Sequence, residues 1–230
     1  MPKLVFWHAP SSIEKRFYIH IMTFPKKSIQ VRCFLTAFTI AVVLISDQIV
    51  KYLVKTNMFL YEKIEVTDWF QICFIENRGM AFGMDFIGTT FLSIFRIAAI
   101  IVFAWILVRV VKQRYSLGFI FTLSLIVAGA IGNLIDNCFY GLIFEESTMR
   151  CFELDEPAQL VGWGQGYGSF LSGKVVDMFY FPLFTWPDWV PFLGGEIFFN
   201  AIFNVADAAI SCGAVSLVLF YRHVFSFTLK

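Results

Sequence analysis

Residues 197–221 read IFFNAIFNVADAAISCGAVSLVLFY, an almost unbroken apolar run with a carboxylate inside it. A bilayer core about 30 Å thick takes about 20 residues of helix to cross, so the run is long enough. Asn200, Asn204, Asp207 and Ser211 recur at i, i+4, i+7 and i+11, which is one helical face. Phe198, Ile202 and Val205 fall off that stripe, towards lipid or neighbouring helices. Read as one helix from Ile197 to Tyr221, the run puts Asp207 about ten residues below its outer end, or about 15 Å into the membrane. No basic residue follows on that helix before Arg222. An unpaired carboxylate at that depth needs a donor network or a second acid sharing its proton.

Three further runs are long and apolar enough to span: Cys33 to Val54, Thr89 to Val111, and Leu117 to Tyr140. The whole chain is 58% hydrophobic and only 15% charged, where a soluble domain carries about a quarter charged residues. Basic residues set the orientation. Lys3, Lys15, Arg16, Lys26, Lys27 and Arg32 precede the first span, Arg109, Lys112 and Arg114 join spans two and three, and Arg222 and Lys230 follow the fourth. Against these stands one acid, Glu14, whereas Gly141 to Glu196 holds eight acids and two bases. The expected fold is therefore an all-α membrane protein with four transmembrane helices and both termini cytoplasmic. The first outer loop, Ile64 to Met84, predicts a small extracytoplasmic β element from Val66, Trp69, Phe70, Ile72 and Phe74. An interfacial loop or short helix is expected before the fourth span. There Phe179, Tyr180, Phe181, Phe184, Trp186 and Trp189 form a headgroup belt interrupted by Pro182, Pro187 and Pro191.

Several function classes fall away. A net charge of +1 gives no basic excess for nucleic acid. Cys33, Cys73, Cys138, Cys151 and Cys212 are odd in number and form no CxxC, so neither a disulfide framework nor a zinc site is expected. His8, His20 and His223 lie far from the span acids, which argues against a histidine-ligated metal. The glycines of 162–168 have no preceding strand or following helix to make a nucleotide loop.

The other polar span residues have structural readings. Asp47 and Lys51 are an i, i+4 pair with the acid first, the better order for a salt bridge. Gly129, Asn133, Asp136 and Tyr140 repeat the one-face spacing on the third span. Gly129 and Gly132 permit close helix approach, and Asn133 and Asp136 read first as groups that tie helices and loops together. Arg96 reads as a cation snorkelling to the headgroups. Asp177, inside Val175-Val176-Asp177-Met178-Phe179, is the natural second acid for Asp207. The alternative is an ordinary loop aspartate capping a short helix.

Five blocks, in order, resemble the bacterial lipoprotein signal peptidase family, signal peptidase II. They are Asp47-Gln48-Ile49-Val50-Lys51, Asn77-Arg78-Gly79-Met80-Ala81-Phe82, Gly132-Asn133-Leu134-Ile135-Asp136, Val175-Val176-Asp177, and Phe203-Asn204-Val205-Ala206-Asp207-Ala208-Ala209-Ile210. The resemblance implies an aspartyl endopeptidase of the cytoplasmic (inner) membrane, with its site on the extracytoplasmic side and no cofactor or metal. It implies catalytic aspartates at Asp177 and Asp207, with Asp47, Lys51, Asn77, Gly79, Asn133, Asp136 and Asn204 supporting them or contacting substrate. It implies diacylglyceryl prolipoproteins as substrates, cut before the lipidated cysteine, membrane lipids as surroundings, no nucleic acid, and a monomer. Residues 1–32 are then a cytoplasmic tail, with Met22 an alternative start. Residues 33–230 form one four-span peptidase domain with an inserted outer loop at 144–173, read as part of a lid. One departure bears on the site: the arginine that usually follows the third block is Asn137 here. Arg96 or Arg150 would have to supply its contact.

A proton-coupled transporter or channel also places acids in spans, but it usually has more spans and broken helices. A serine–lysine signal peptidase would have to use Ser172 and Lys174, and the GxGD block of presenilin-type proteases is absent.

Overall fold

The computed structural model describes residues 28–78, 89–152 and 155–221. Helix α1 spans Ile29–Asn57, α2 Thr89–Lys112, α3 Leu117–Ile135 and α4 Val205–Phe220. A π-helical turn, Asp136–Tyr140, and a last α turn, Gly141–Ile143, extend α3. Among the described residues, three helices are long and apolar enough to cross a membrane, and α4 is apolar but has 16 residues. The first helix begins four residues earlier than the sequence predicts, and residues 1–27 of the expected tail lie outside the described residues.

The chain runs up and down so that its polar chemistry collects at one end. At the other end, the Arg32 guanidinium donates to the carbonyls of Tyr115 (3.1 Å) and Arg114 (3.2 Å), and Tyr221 packs on Phe119. The start of α1, the α2–α3 turn and the end of α4 thus sit together. Helix α3 is the most buried of the long helices. Leu107, Phe119, Ile120, Leu123, Val127 and Leu217 pack around its first half. Outward faces carry Phe34, Phe38, Ile101, Trp105, Val218 and Leu219 in the open, as lipid-facing helices do. Gly129 and Gly132 do allow close approach. A Cβ on Gly129 would stand 2.2 Å from the Ala206 carbonyl oxygen, and one on Gly132 would meet Asp47 and Ala206.

The β structure is more extensive than expected. Strands β1 (Lys63–Thr67), β2 (Phe70–Asn77), β3 (Val175–Tyr180) and β6 (Ile202–Phe203) make one antiparallel sheet in the order β1-β2-β3-β6. Strands β4 (Phe184–Thr185) and β5 (Ile197–Phe198) form a separate pair. In β2–β3, Ile75 opposes Asp177, Glu76 opposes Val176 and Asn77 opposes Val175. Val54, Met58, Phe74, Tyr140, Val176 and Met178 pack beneath the sheet.

One expectation is refined and one corrected here. The segment before the last helix, 181–204, is largely turn and loop, but β-formers at 202–203 pair with those of 175–180, which in turn pair with β2. The last helix begins at Val205, not Ile197. Phe199 has a left-handed φ of 61°, β6 engages the edge of β3, and the Asn204 side chain caps the helix by accepting the Asp207 N–H at 2.8 Å. The one-face stripe therefore breaks up. Asn200 precedes the helix and accepts from the Tyr180 hydroxyl, Ser211 is exposed, and Asp207 lies in the first turn rather than two or more turns deep.

Replacing Gly129 by valine should push α4 off α3 and destabilise the protein by about 1–3 kcal/mol, the usual cost of overpacking. Thermal unfolding in detergent micelles measures this, and an unchanged midpoint would contradict the close crossing.

Candidate active site

The site grows from a buried ion cluster on α1. Lys51 is fully buried and spends all three ammonium hydrogens. They go to Asp47 Oδ2 at 2.8 Å, Asp136 Oδ2 at 2.8 Å and Asn133 Oδ1 at 2.9 Å. One cation between two carboxylates leaves negative charge over, and that charge holds backbone. Asp47 Oδ1 accepts the N–H of Ala206 at 2.9 Å, and Asp136 Oδ2 accepts the N–H of Val176 at 3.3 Å. Ala206 directly precedes Asp207, and Val176 directly precedes Asp177. The two structural aspartates thus fix the residues just before the two candidate catalytic ones. Gln48 completes the cluster: its amide donates to Asp136 Oδ1 at 3.0 Å, and it accepts from the Tyr140 hydroxyl at 3.2 Å.

Asn133 and Asn204 join this base to the acids. The Asn133 amide donates to Asp207 Oδ1 at 2.7 Å. Asn204 donates to Asp177 Oδ1 at 2.6 Å and to Asn133 Oδ1 at 3.1 Å. Asn77, a diagonal neighbour of Asp177 across the β2–β3 pair, is within reach to favour its charged form. Asp177 is buried on the central strand, and Asp207 is half-buried in the first turn of α4, where the helix N-terminus favours negative charge. Burial, and then the charge of Asp207, pushes the Asp177 carboxyl up to about 7, against the pull of Lys51, Asn77 and Asn204. Asp177 therefore keeps its proton much closer to neutral pH than a free aspartate does.

The structure brings Asp47, Lys51, Asn77, Asn133, Asp136, Asp177, Asn204 and Asp207 into one network. Gly79 lies outside the described residues. Arg96 does not snorkel: it is half-buried, bonded to the Asn137 side chain, and within electrostatic range of Asp207, Asp136 and Asp177. Asn137 in turn donates to the Gly173 carbonyl at 2.7 Å. Arg96 thus brings a cation from α2 to Asn137, while Arg150 stacks on Phe59. Gln48 and Tyr140 carried no role in the sequence reading, because a neutral amide and a phenol in a span give no signal until a buried charge faces them. Ser172 and Lys174 are not a catalytic pair: Lys174 binds Glu76 and Glu146, and Ser172 binds within its own turn at Ser169. Among the described residues no group of side chains is arranged to hold a metal ion.

Two aspartates in one hydrogen-bonded network, one on a buried strand and one in the first turn of an apolar helix, suit an aspartyl peptidase of the membrane. Comparison with known proteins agrees. The sequence pattern of the family described as Signal peptidase (SPase) II matches residues 39–223. The chain is 45% identical over 198 residues to a lipoprotein signal peptidase of Porphyromonas gingivalis, covering 84% of this chain and 85% of that one. It is 34% identical over 189 residues to the lipoprotein signal peptidase of Amoebophilus asiaticus, covering 75% and 71%. A bacterial membrane enzyme structure determined by the in meso method at 2.3 Å shares the fold, with a TM-score of 0.53 and 24% identity over 80% of this chain and 85% of that one. A second, at 1.9 Å, aligns over 87% and 95% with a TM-score of 0.52 and 22% identity. The chain belongs to the signal peptidase II family, whose members are membrane aspartyl proteases.

Replacing Lys51 by methionine leaves two buried carboxylates facing each other, which should cost about 3–5 kcal/mol. The double change Lys51→Met with Asp136→Asn should recover part of that loss. Denaturation of Lys51→Met, Asp136→Asn and the double variant measures the difference, and additive losses would mean the cluster is not a unit.

Proposed function

We propose that this protein removes signal peptides from diacylglyceryl-modified prolipoproteins, cutting before the lipidated cysteine, with Asp177 and Asp207 as the catalytic pair. The observation that carries this reading is the Asn204–Asn133 bridge joining the two acids over a buried ion cluster. Four helices cross the cytoplasmic membrane, both termini are cytoplasmic, and the sheet end faces outward. The charge asymmetry of the loops supports that orientation.

At neutral pH one carboxyl of the pair is ionised and the other is protonated. Asp177, the buried member, holds the proton. Asp207, at the helix N-terminus, is placed to take a proton from water as that water attacks the scissile carbonyl. Asp177 then protonates the leaving nitrogen. Asn204 keeps Asp177 oriented, and Asn77, at the rim of the sheet, is within reach of a substrate backbone. The exposed apolar faces beside the site suit a signal-peptide helix and acyl chains arriving through lipid. Residues 144–173 serve as a buttress rather than a lid. Their backbone bonds run to Leu60, at the outer end of α1, and to Gly141 and Leu142, at the end of α3.

Asp177→Asn and Asp207→Asn should each lower turnover by about 10³-fold or more while the protein stays folded. Cleavage of a lipidated prolipoprotein by purified variants measures this, and normal turnover by either variant rules out the pair. Omitting diacylglycerol from the substrate should abolish cleavage, and indifference to the lipid would refute the substrate assignment. The protonated role of Asp177 also fixes a pH effect. Its folded value of about 7 lies above the about 3.9 of a free aspartate, so the folded state binds the extra proton between those values. Turnover should fall, and the thermal midpoint should drop, as pH rises through about 7. Asp177→Asn should remove that drop.

A further inference from the structure

A second buried charge cluster lies next to the catalytic network and is not used by the hydrolysis. Lys55 follows Lys51 by one turn on the same face of α1 and is fully buried. Its ammonium donates to Glu76 Oε1 at 2.6 Å and to Ser147 Oγ at 2.7 Å, and the Ser147 hydroxyl donates to the same carboxyl oxygen at 2.8 Å. Lys174 pairs with Glu76 Oε2 at 3.0 Å and with Glu146 at 2.9 Å. The Tyr167 ring lies 5.1 Å from the Lys55 nitrogen and 5.0 Å from that of Lys174, and its hydroxyl accepts the Lys174 backbone N–H at 2.7 Å. Burial alone would raise the Glu76 carboxyl, but the two lysines outweigh it and hold it below the usual range.

The position of this cluster gives it a role. Glu76 directly precedes Asn77, which the β2–β3 register places diagonally across from Asp177, within reach of its carboxyl. Glu76 sits opposite Val176, and Lys174 is the residue before β3 begins. Glu146, Ser147 and Tyr167 all come from the inserted segment 144–173. The cluster therefore joins α1, the strand that carries the donor, the strand that carries the acid, and the insertion.

We propose that Lys55, Glu76 and Lys174, closed over by the insertion, are positioning residues for the peptidase reaction: they lock β2 to β3 in the register that lets Asn77 donate to Asp177. This rests on Asp177 and Asp207 being the catalytic pair. The insertion then has a function, which is to seal a clamp that these strands cannot seal alone.

The test is a pH–rate profile of the full-length protein in lipid nanodiscs, cleaving a diacylglyceryl prolipoprotein, for wild type, Lys55→Met and Glu76→Gln. Asp177 is faced by Asp207 from α4, Lys51 from α1, Arg96 from α2, Asn77 from β2 and the capping Asn204, and none of these is altered. The two substitutions remove charges of opposite sign. A direct field effect would move the alkaline limb of the profile, which Asp177 sets, in opposite directions. Loss of the Asn77 donor moves it to higher pH in both. The expected result is that shared upward shift, with kcat lower by about tenfold or more, as small misplacements produce, and KM within about twofold. Opposite shifts overturn the proposal. So does a lowered thermal midpoint with kcat and profile unchanged. Should Lys55→Met fail to fold, Ser147→Ala, which removes one bond each from Lys55 and Glu76, must shift the limb in the same direction by a smaller amount. Asp177→Asn measured in the same series separates the two ideas: normal cleavage by that variant refutes the pair and the clamp's role with it, whereas an inactive Asp177→Asn beside opposite shifts in the other two refutes the clamp alone.

Discussion

Lys51 between Asp47 and Asp136 is the interaction on which the rest depends. Three charged side chains are removed from water, and isolated buried charges are costly enough that none of the three would be tolerated alone. Together they satisfy each other, and their surplus negative charge is spent on two backbone N–H groups. Those groups belong to α4 and β3, elements that are distant in sequence from α1. The cluster thus sets the height of the first turn of α4 and the seat of β3 against the same lysine. Each candidate catalytic aspartate is the next residue along.

This arrangement separates support from reaction. Asp47 and Asp136 are fully buried and saturated with partners, so they have no lone pair aimed at a substrate. Asp177 and Asp207 are held mainly by two asparagines, which orient a carboxyl without neutralising it. The proton can then remain within the pair. The π-helical turn after Ile135 belongs to the same design. It swings Asn137 and Tyr140 inward, towards Arg96 and Gln48, at the point where α3 leaves the bundle.

The second cluster, Lys55 with Glu76 and Lys174, repeats the principle one turn further out on α1. There Ser147 and Glu146 close the ring. Asp47, Lys51 and Lys55 form a single stripe at four-residue spacing, so one helix face organises both the acids and the strands that carry them.

The sequence by itself determined the apolar helices and the close α3–α4 approach at Gly129 and Gly132, which are written in local composition or fixed spacing that backbone geometry translates directly. The two candidate acids were picked out by the family resemblance of their blocks. Where α4 begins was not legible from the run 197–221. An apolar stretch reads equally well as helix or as buried strand, and only the open edge of β3 and the Asn204 cap decide between them. The depth of Asp207 followed that boundary and changed with it. Arg96, Gln48, Lys55 and Glu76 were visible as residues, but their partners lie on other elements. Pairing among buried charges is settled by which side chains meet when the helices and sheet pack, because only then does the cost of leaving them unpaired arise.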